Sequence, residues 1–141
     1  MPTYSERHQH QINIESEGDI VAVRKAVREA AGSLGFGVTD VTRIVTAASE
    51  LARNIQRFAG KGVMSLAVEQ GDGRKGLVLT FVDHGPGIAD IKKALELGYT
   101  TGGGLGLGLP GAKRLMDEME IQSELGRGTT VRVVKWLNVG R

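Results

Sequence analysis

Three groups of residues in this 141-residue chain have the types and spacing to act on a ligand. The first is a glycine-rich segment, since six of the ten residues from 102 to 111 are glycine and a helix-forming sequence follows them. Glycine lets backbone N–H groups approach a phosphate closely, and the start of a helix offers N–H groups without intrahelical partners. Because so many glycines carry a high entropic cost in a connector, the segment is interpreted as a phosphate-binding loop.

Familiar phosphate-binding motifs do not account for this loop. A Walker P-loop requires Gly-Lys-Ser or Gly-Lys-Thr, and the sequence contains neither. Residues 106–111 match Gly-x-Gly-x-x-Gly, but the dinucleotide-binding motif requires a strand directly before it, whereas residues 88–105 predict helix and loop. The His-Arg-Asp and Asp-Phe-Gly motifs of eukaryotic-type kinases are also absent from the sequence. The loop therefore indicates a different kind of nucleotide site.

The second group lies on a predicted helix, where Glu50 and Asn54 are four residues apart and project from the same face. Arg43, Ala47 and Arg57 continue this stripe in steps of three and four residues. A carboxylate can accept or orient a proton, and an amide oxygen can bind Mg²⁺. The alternative interpretation is a solvent-exposed face on which the glutamate pairs with a nearby arginine.

The third group is Asp83, which ends an apolar strand and precedes a sharp turn through Gly85, Pro86 and Gly87. A carboxylate at the end of a strand is a good acceptor for an exocyclic amine such as adenine N6. The glycines would let a base lie against the backbone. The alternative is a turn whose aspartate serves only as a polar end to the strand.

Hydrophobic periodicity predicts the elements that position these groups. Alternating apolar residues predict five strands, over residues 11–16, 63–70, 76–83, 119–124 and 129–136. Apolar residues three and four apart predict four helices, one capped by Asp19 and the others over about 39–59, 88–97 and 110–118. The first ten residues are polar, and no regular structure is expected there. This order predicts an α/β two-layer sandwich, with helices on one face of a mixed, mainly antiparallel sheet.

Composition narrows the classes of function. The chain is 40% hydrophobic and 24% charged, as is usual for one compact globular domain. A net charge of +2 and an aromatic content of 4% do not favour nucleic-acid binding. Without cysteine, disulfides and thiolate catalysis are excluded. The sequence has neither an apolar run of membrane-spanning length nor a signal-peptide pattern at its start, so we expect a cytoplasmic protein.

In this order and spacing, the three groups resemble the GHKL (Bergerat) nucleotide-binding fold of gyrase, heat-shock chaperone ATPases, MutL-type repair proteins and sensor histidine kinases. SELARN (49–54) resembles its N-box, DHGPG (83–87) its first glycine box, and GGGLGLGL (102–109) its second. GRGTT (126–130) resembles the final Gly-x-Gly-Thr box. No helical hairpin with a phosphoacceptor histidine is evident. Across nearly its whole length the chain is most similar to compact bacterial anti-sigma-type serine/threonine kinases of the RsbT type.

The resemblance implies a role for each matching residue. Asn54 would bind Mg²⁺, Glu50 would act on the proton of the attacking hydroxyl, and Asp83 would bind adenine. Either Thr129 or Thr130 would support the adenine end. Residues 98–108 would form a lid over the phosphates of ATP. The remaining nucleotide contacts that the resemblance implies are Gly85, Gly87, Ile88, Thr101, Gly102, Gly103, Gly104, Leu105, Gly106, Leu107 and Gly108.

The resemblance also implies partners. Kinases of this type use ATP and Mg²⁺ to phosphorylate STAS-domain proteins of the stressosome and, once released, activate a PP2C-type phosphatase. One alternative is an anti-sigma factor that sequesters a sigma subunit and phosphorylates its antagonist. Others are a simple ATPase in which Glu50 activates water, and a non-catalytic adapter. No nucleic-acid or membrane partner is expected.

Overall fold

The computed structural model describes residues 4–95 and 108–137, with side chains from His10 onward in the first strand. The strands are β1 Tyr4–Ile14, β2 Gly62–Gly71, β3 Arg74–Asp83, β4 Glu118–Glu124 and β5 Gly128–Leu137. The helices are α1 Glu17–Leu34, α2 Val38–Asn54, α3 Ile91–Ala94 and α4 Leu109–Leu115, and a π-helical turn, Ile55–Ala59, continues α2. In this described part of the chain, no helix is long and apolar enough to cross a membrane.

The five strands form one sheet in the order β1-β2-β3-β5-β4. All four pairings between these strands are antiparallel, so the mixed character expected from the sequence is not found among them. Two of the pairings are hairpins, which join neighbouring strands directly and require no parallel crossover. The β2–β3 hairpin turns at Asp72 and Gly73, both with positive φ, as a two-residue turn of the primed type requires.

Helices cover one face of this sheet, as predicted. Every second residue of the central strands is buried against them, including Met64 in β2, Leu79 and Phe81 in β3, and Val133 in β5. The apolar faces of α1 and α2 complete the same core, and α4 adds Ala112. The structure is therefore the two-layer α/β sandwich that the element order predicted, with its core between the sheet and the helices.

The first helix begins three residues earlier than the predicted cap would place it. Ser16, not Asp19, is its N-cap, and the Ser16 hydroxyl accepts a hydrogen bond from the Asp19 N–H at 3.3 Å. The Asp19 carboxylate in turn accepts the N–H groups of Ser16 at 3.1 Å and Glu15 at 2.8 Å. Both residues satisfy N–H groups that would otherwise lack partners, in the arrangement known as a capping box.

Other boundaries also differ from the prediction. β1 begins at Tyr4, within the segment expected to be irregular, and Tyr4, Ser5 and His10 pair with β2 on either side of a register shift. The helix predicted over 88–97 is only the single turn of α3 within the described residues. The predicted helix over 110–118 ends at Leu115, because the chain becomes extended at Met116 and enters β4.

The capping box yields a test of the fold. Replacing Ser16 with alanine removes the oxygen that accepts the Asp19 N–H, so we expect the free energy of unfolding to fall by about 1 kcal/mol. Urea denaturation measures this change. Ser33→Ala, at an exposed position in the last turn of the same helix, is the matched control and should change stability by less than about 0.5 kcal/mol. Equal effects of the two substitutions would contradict the capping role.

Candidate functional site

The pairing of β3 with β5 brings two of the predicted site residues together. Asp83 lies opposite Thr129, and Thr129 lies opposite Ser123 of β4. Two residues further into the same strands, Phe81 lies opposite Val131, and both side chains are buried against the helices. Because side chains alternate between the faces of a sheet, Asp83, Thr129 and Ser123 lie on the helix-covered face.

The same alternation separates the two threonines that the sequence could not distinguish. Thr130 pairs with Val82, so both occupy the uncovered face of the sheet. Thr129 shares the helix-covered face with Asp83 and contacts the Ser123 hydroxyl at 2.8 Å. Of the two, Thr129 therefore has the position from which a residue can act together with Asp83.

The carboxylate of Asp83 is half-buried and only partly used within the described residues. Its Oδ1 accepts the N–H of Gly85 at 2.9 Å, which closes the turn that follows β3. Its Oδ2 has no hydrogen-bond partner in the described part of the chain. A side chain at Gly85 would collide with Ala59, since a Cβ there would lie 2.6 Å from the Ala59 Cβ. The turn thus packs tightly against the π-helical turn, and one oxygen of Asp83 remains available to a ligand.

The first glycine box rests on the turn between β4 and β5. The Gly126 N–H donates to the Pro86 carbonyl at 2.9 Å, and the Ile88 N–H donates to the Ser123 hydroxyl at 2.7 Å. Gly87 has a φ of 81°, and a Cβ there would lie 2.5 Å from the Glu124 carbonyl. Only glycine meets both conditions, so this position allows the loop to lie directly on the hairpin.

Glu50 and Asn54 lie on α2, and both are half-buried. Among the described residues Glu50 has no ion-pair or hydrogen-bond partner. Of the nearby arginines, Arg43 pairs with Asp40 at 3.0 Å, Arg53 contacts Glu17 at 3.7 Å, and Arg57 lies 6.0 Å from the centre of the Phe58 ring. The ion-paired alternative for Glu50 is therefore absent from this part of the structure.

The stripe predicted on this helix is not uniformly exposed. Ala47 is completely buried and belongs to the hydrophobic core, whereas Arg43 and Arg57 are exposed. The reason is that α2 packs against both α1 and the sheet, so its buried face is wider than its large apolar residues alone indicated. Of the polar residues in this stripe, Glu50 and Asn54 are therefore the two that lie half-buried beside the core.

The side-chain amide of Asn54 lies against the beginning of α4. A Cβ on Gly108 would come within 2.8 Å of Asn54 Nδ2 and 3.0 Å of its Oδ1. Glycine at this position therefore lets the backbone pass directly over the amide. Asn54 has no hydrogen-bond partner among the described residues, so its amide oxygen can bind a hard cation such as Mg²⁺. This contact joins the predicted N-box to the end of the second glycine box.

Several predicted residues lie outside the described part of the chain: Thr101, Gly102, Gly103, Gly104, Leu105, Gly106 and Leu107. Their assignment to a lid stays a prediction. Of the others, Gly85 lies against Ala59 of the π-helical turn. Gly87 lies against Glu124, and Ile88 donates to Ser123, both at the end of β4. Gly108 lies beside Asn54.

Sequence reasoning missed Ser123, whose hydroxyl contacts both Ile88, the residue after the first glycine box, and Thr129. The signal was present in the alternation of β4. Met119 and Ile121 pack toward the core, and Ser123 is the next residue of the same parity. A hydroxyl at the end of an otherwise apolar face indicates a polar site at that edge.

Known proteins resemble this chain in sequence and in fold. Residues 39–139 match the model of the histidine kinase-, DNA gyrase B-, and HSP90-like ATPase family. The chain is 52% identical over 126 residues to the serine/threonine-protein kinase RsbT of Bacillus subtilis (strain 168), covering 89% of this chain and 95% of that protein. It is 30% identical over 124 residues to an anti-sigma F factor of Caldanaerobacter subterraneus subsp. tengcongensis, covering 84% of this chain and 85% of that protein.

Solved structures show the same fold. The RsbU and RsbW domains of a Mycobacterium tuberculosis protein superpose with a TM-score of 0.63 at 23% identity, over 90% of this chain and 31% of that one. At this level of identity the similarity concerns the fold alone.

The free oxygen of Asp83 leads to a binding prediction. If this carboxylate accepts a hydrogen bond from adenine, Asp83→Asn should weaken ATP binding by about 1–3 kcal/mol, because a charge-assisted bond is lost. Calorimetric titration measures the change. Asp72→Asn, in the exposed β2–β3 turn, provides a charge-matched control that should leave affinity unaltered. If Asp83→Asn bound ATP as tightly as the parent chain, adenine recognition by this residue would be excluded.

Proposed function

Since this chain belongs to the histidine kinase-, DNA gyrase B-, and HSP90-like ATPase family and, within it, to the bacterial serine/threonine-protein kinases, we propose that it acts in a signalling partner switch. It transfers the γ-phosphoryl group of ATP to a serine or threonine of a STAS-domain protein of the stressosome. Once released from that substrate, it activates a PP2C-type phosphatase. Such a switch operates in the cytoplasm.

One observation carries the catalytic part of this proposal. Glu50 is a half-buried carboxylate without a partner in the described residues, one helical turn before Asn54. Asn54 in turn contacts Gly108, where the phosphate-binding segment meets α4. A group that acts on a proton and a group that can bind a cation thus lie side by side next to the predicted phosphates.

Nucleotide orientation follows from the position of each group. Asp83 receives the exocyclic amine of adenine, and Thr129 supports the same end of the base. The backbone at Gly85 and Gly87, followed by Ile88, forms the wall against which the base lies. The phosphates then extend toward Asn54 and Gly108, where the lid segment 98–108 closes over them.

The Asn54 amide oxygen would hold Mg²⁺. One protein ligand is sufficient, because Mg²⁺ usually retains waters and binds phosphate oxygens of the substrate. Bound there, the ion would neutralise negative charge that develops as the phosphoryl group is transferred. The unpartnered amide beside Gly108 fits this role.

Glu50 acts on the incoming hydroxyl. The substrate oxygen forms a bond to the γ-phosphorus, the bond between that phosphorus and the bridging oxygen breaks, and ADP leaves. The Glu50 carboxylate orients the hydroxyl and accepts its proton. Within the described residues no cation competes for this carboxylate, which leaves it free to do so.

A second candidate function is an anti-sigma factor that sequesters a sigma subunit and phosphorylates its antagonist. The 30% identity with an anti-sigma F factor over most of both chains supports it. The identity of 52% with a relative described as a kinase favours the first candidate. Co-purification with a sigma subunit of RNA polymerase would distinguish them, because only the second function requires that complex.

Replacement of Glu50 separates chemistry from binding. Glu50→Ala should retain ATP affinity and lower the rate of phosphotransfer about 10²–10⁴-fold, since general-base assistance is lost while Asp83 and Asn54 remain. Single-turnover transfer of radiolabelled phosphate to a STAS-domain substrate measures the rate, and calorimetry measures the affinity.

The matched control for that experiment is Glu29→Ala, which removes an exposed carboxylate from α1 and should leave both quantities unchanged. An undiminished transfer rate in Glu50→Ala would remove this residue from the mechanism. A rate that falls only because ATP no longer binds would point to a structural role instead.

A further inference from the structure

We propose that Ser123 is a specificity-determining positioning residue, whose hydroxyl makes Thr129 a hydrogen-bond acceptor and so selects purines with an amino group at C6. This inference rests on the proposed nucleotide-binding function. It concerns how the site discriminates between bases, which the assignment of Asp83 and Thr129 to the adenine end does not by itself explain.

The Ser123 hydroxyl has three neighbours within hydrogen-bond distance. The Ile88 N–H donates to it at 2.7 Å, the Gly128 carbonyl lies at 3.1 Å, and the Thr129 hydroxyl lies at 2.8 Å. These neighbours come from the residue directly after the first glycine box and from the beginning of β5. Ser123 is half-buried among them on the helix-covered face of the sheet.

Counting hydrogens assigns the direction of each bond. A hydroxyl has one hydrogen to donate and two lone pairs to accept. The Ile88 N–H uses one lone pair, and the Gly128 carbonyl can only accept, so it takes the hydrogen of Ser123. All three contacts are hydrogen bonds at once only if Thr129 donates into the second lone pair. The hydrogen of Thr129 is then used within the protein.

With its hydrogen committed to Ser123, Thr129 offers only lone pairs to a ligand. Asp83 is its cross-strand neighbour, and side chains of directly opposed residues have Cβ atoms about 4.5–5.5 Å apart. The free oxygen of Asp83 is also an acceptor. The site therefore presents two acceptors side by side, which suits the two N–H bonds of an exocyclic amine. An oxo group at C6 would face lone pairs from both.

Removing the Ser123 hydroxyl should weaken the preference for an amino group over an oxo group at C6. In Ser123→Ala, the Thr129 hydroxyl can turn and donate, so it can serve an oxo group as readily as an amine. We expect ATP binding to weaken about three- to tenfold while inosine triphosphate binding stays equal or improves. The ratio of the ATP affinity to the inosine triphosphate affinity should accordingly fall at least about three- to tenfold.

The experiment measures the affinities for Mg-ATP and Mg-inosine triphosphate by calorimetry in the full chain, in Ser123→Ala and in four further variants. Ser123→Thr keeps a hydroxyl and should preserve the ratio. Thr129→Val removes the acceptor and should lower the ratio as Ser123→Ala does, which provides a second test if Ser123→Ala fails to fold. Ser123→Ala in the Thr129→Val background should then have no further effect on the ratio. Ser65→Ala, on the uncovered face, is the control and should leave it unchanged.

The outcomes separate specificity from a purely structural role. A ratio that falls in Ser123→Ala and is restored in Ser123→Thr supports the inference, whatever the change in melting temperature. Equal loss of both affinities in Ser123→Ala, or an unchanged ratio in Thr129→Val, would overturn it and leave Ser123 as a clamp on the Ile88 loop. If the parent chain bound neither nucleotide, the proposed function itself would be overturned.

Discussion

The antiparallel register between β3 and β5 is the constraint on which the site depends. It pairs Asp83 with Thr129 and Phe81 with Val131, so the polar pair continues the row of side chains that forms the core. A slip of one residue would turn Asp83 to the uncovered face of the sheet. Burial of Phe81 and Val131 therefore fixes the register that also turns Asp83 and Thr129 toward the helices. The same register stabilises the core and sets the geometry of the site.

Close backbone contacts complete this arrangement, because the residues around the site come from distant parts of the chain. Gly128, with a φ of 122°, begins β5 where any Cβ would overlap the Asp83 carbonyl. Gly108 passes over the Asn54 amide in a similar way and brings α4 against α2. A side chain at Gly128 would push β5 away from Asp83, and a side chain at Gly108 would push α4 away from the Asn54 amide. The glycines of the sequence boxes thus serve packing as well as any contact with phosphate.

Sequence periodicity predicted the existence and type of most elements, because burial of one face leaves a clear signature in strands and long helices. It failed where contacts between distant residues decide the outcome. The helix predicted from residue 88 begins only at Ile91, after the Asp90 cap, and the segment before it lies along the β4–β5 hairpin, where the Ile88 N–H donates to Ser123, 35 residues away. At α1, Ser16 and Asp19 both have capping chemistry, and only the reciprocal geometry shows which is the N-cap.

Among the predicted site residues, Glu50, Asn54 and Asp83 came from the order and spacing of the boxes, and the fold places Asn54 against Gly108, at the end of the second predicted glycine box. The sequence could not choose between Thr129 and Thr130, because adjacent residues of one strand differ only in the face they occupy. The π-helical turn after Asn54 also has no simple sequence signal, and its last residue, Ala59, packs against Gly85 from a distant part of the chain.

The most direct test of the central claim is the intact mass of a STAS-domain protein from the same genome after incubation with this chain and Mg-ATP. The account predicts the addition of one phosphate group per substrate molecule, and none when the chain is omitted. A substrate mass that stays unchanged while the chain binds ATP would contradict the proposed kinase function, and sequestration of a sigma subunit would then become the better explanation.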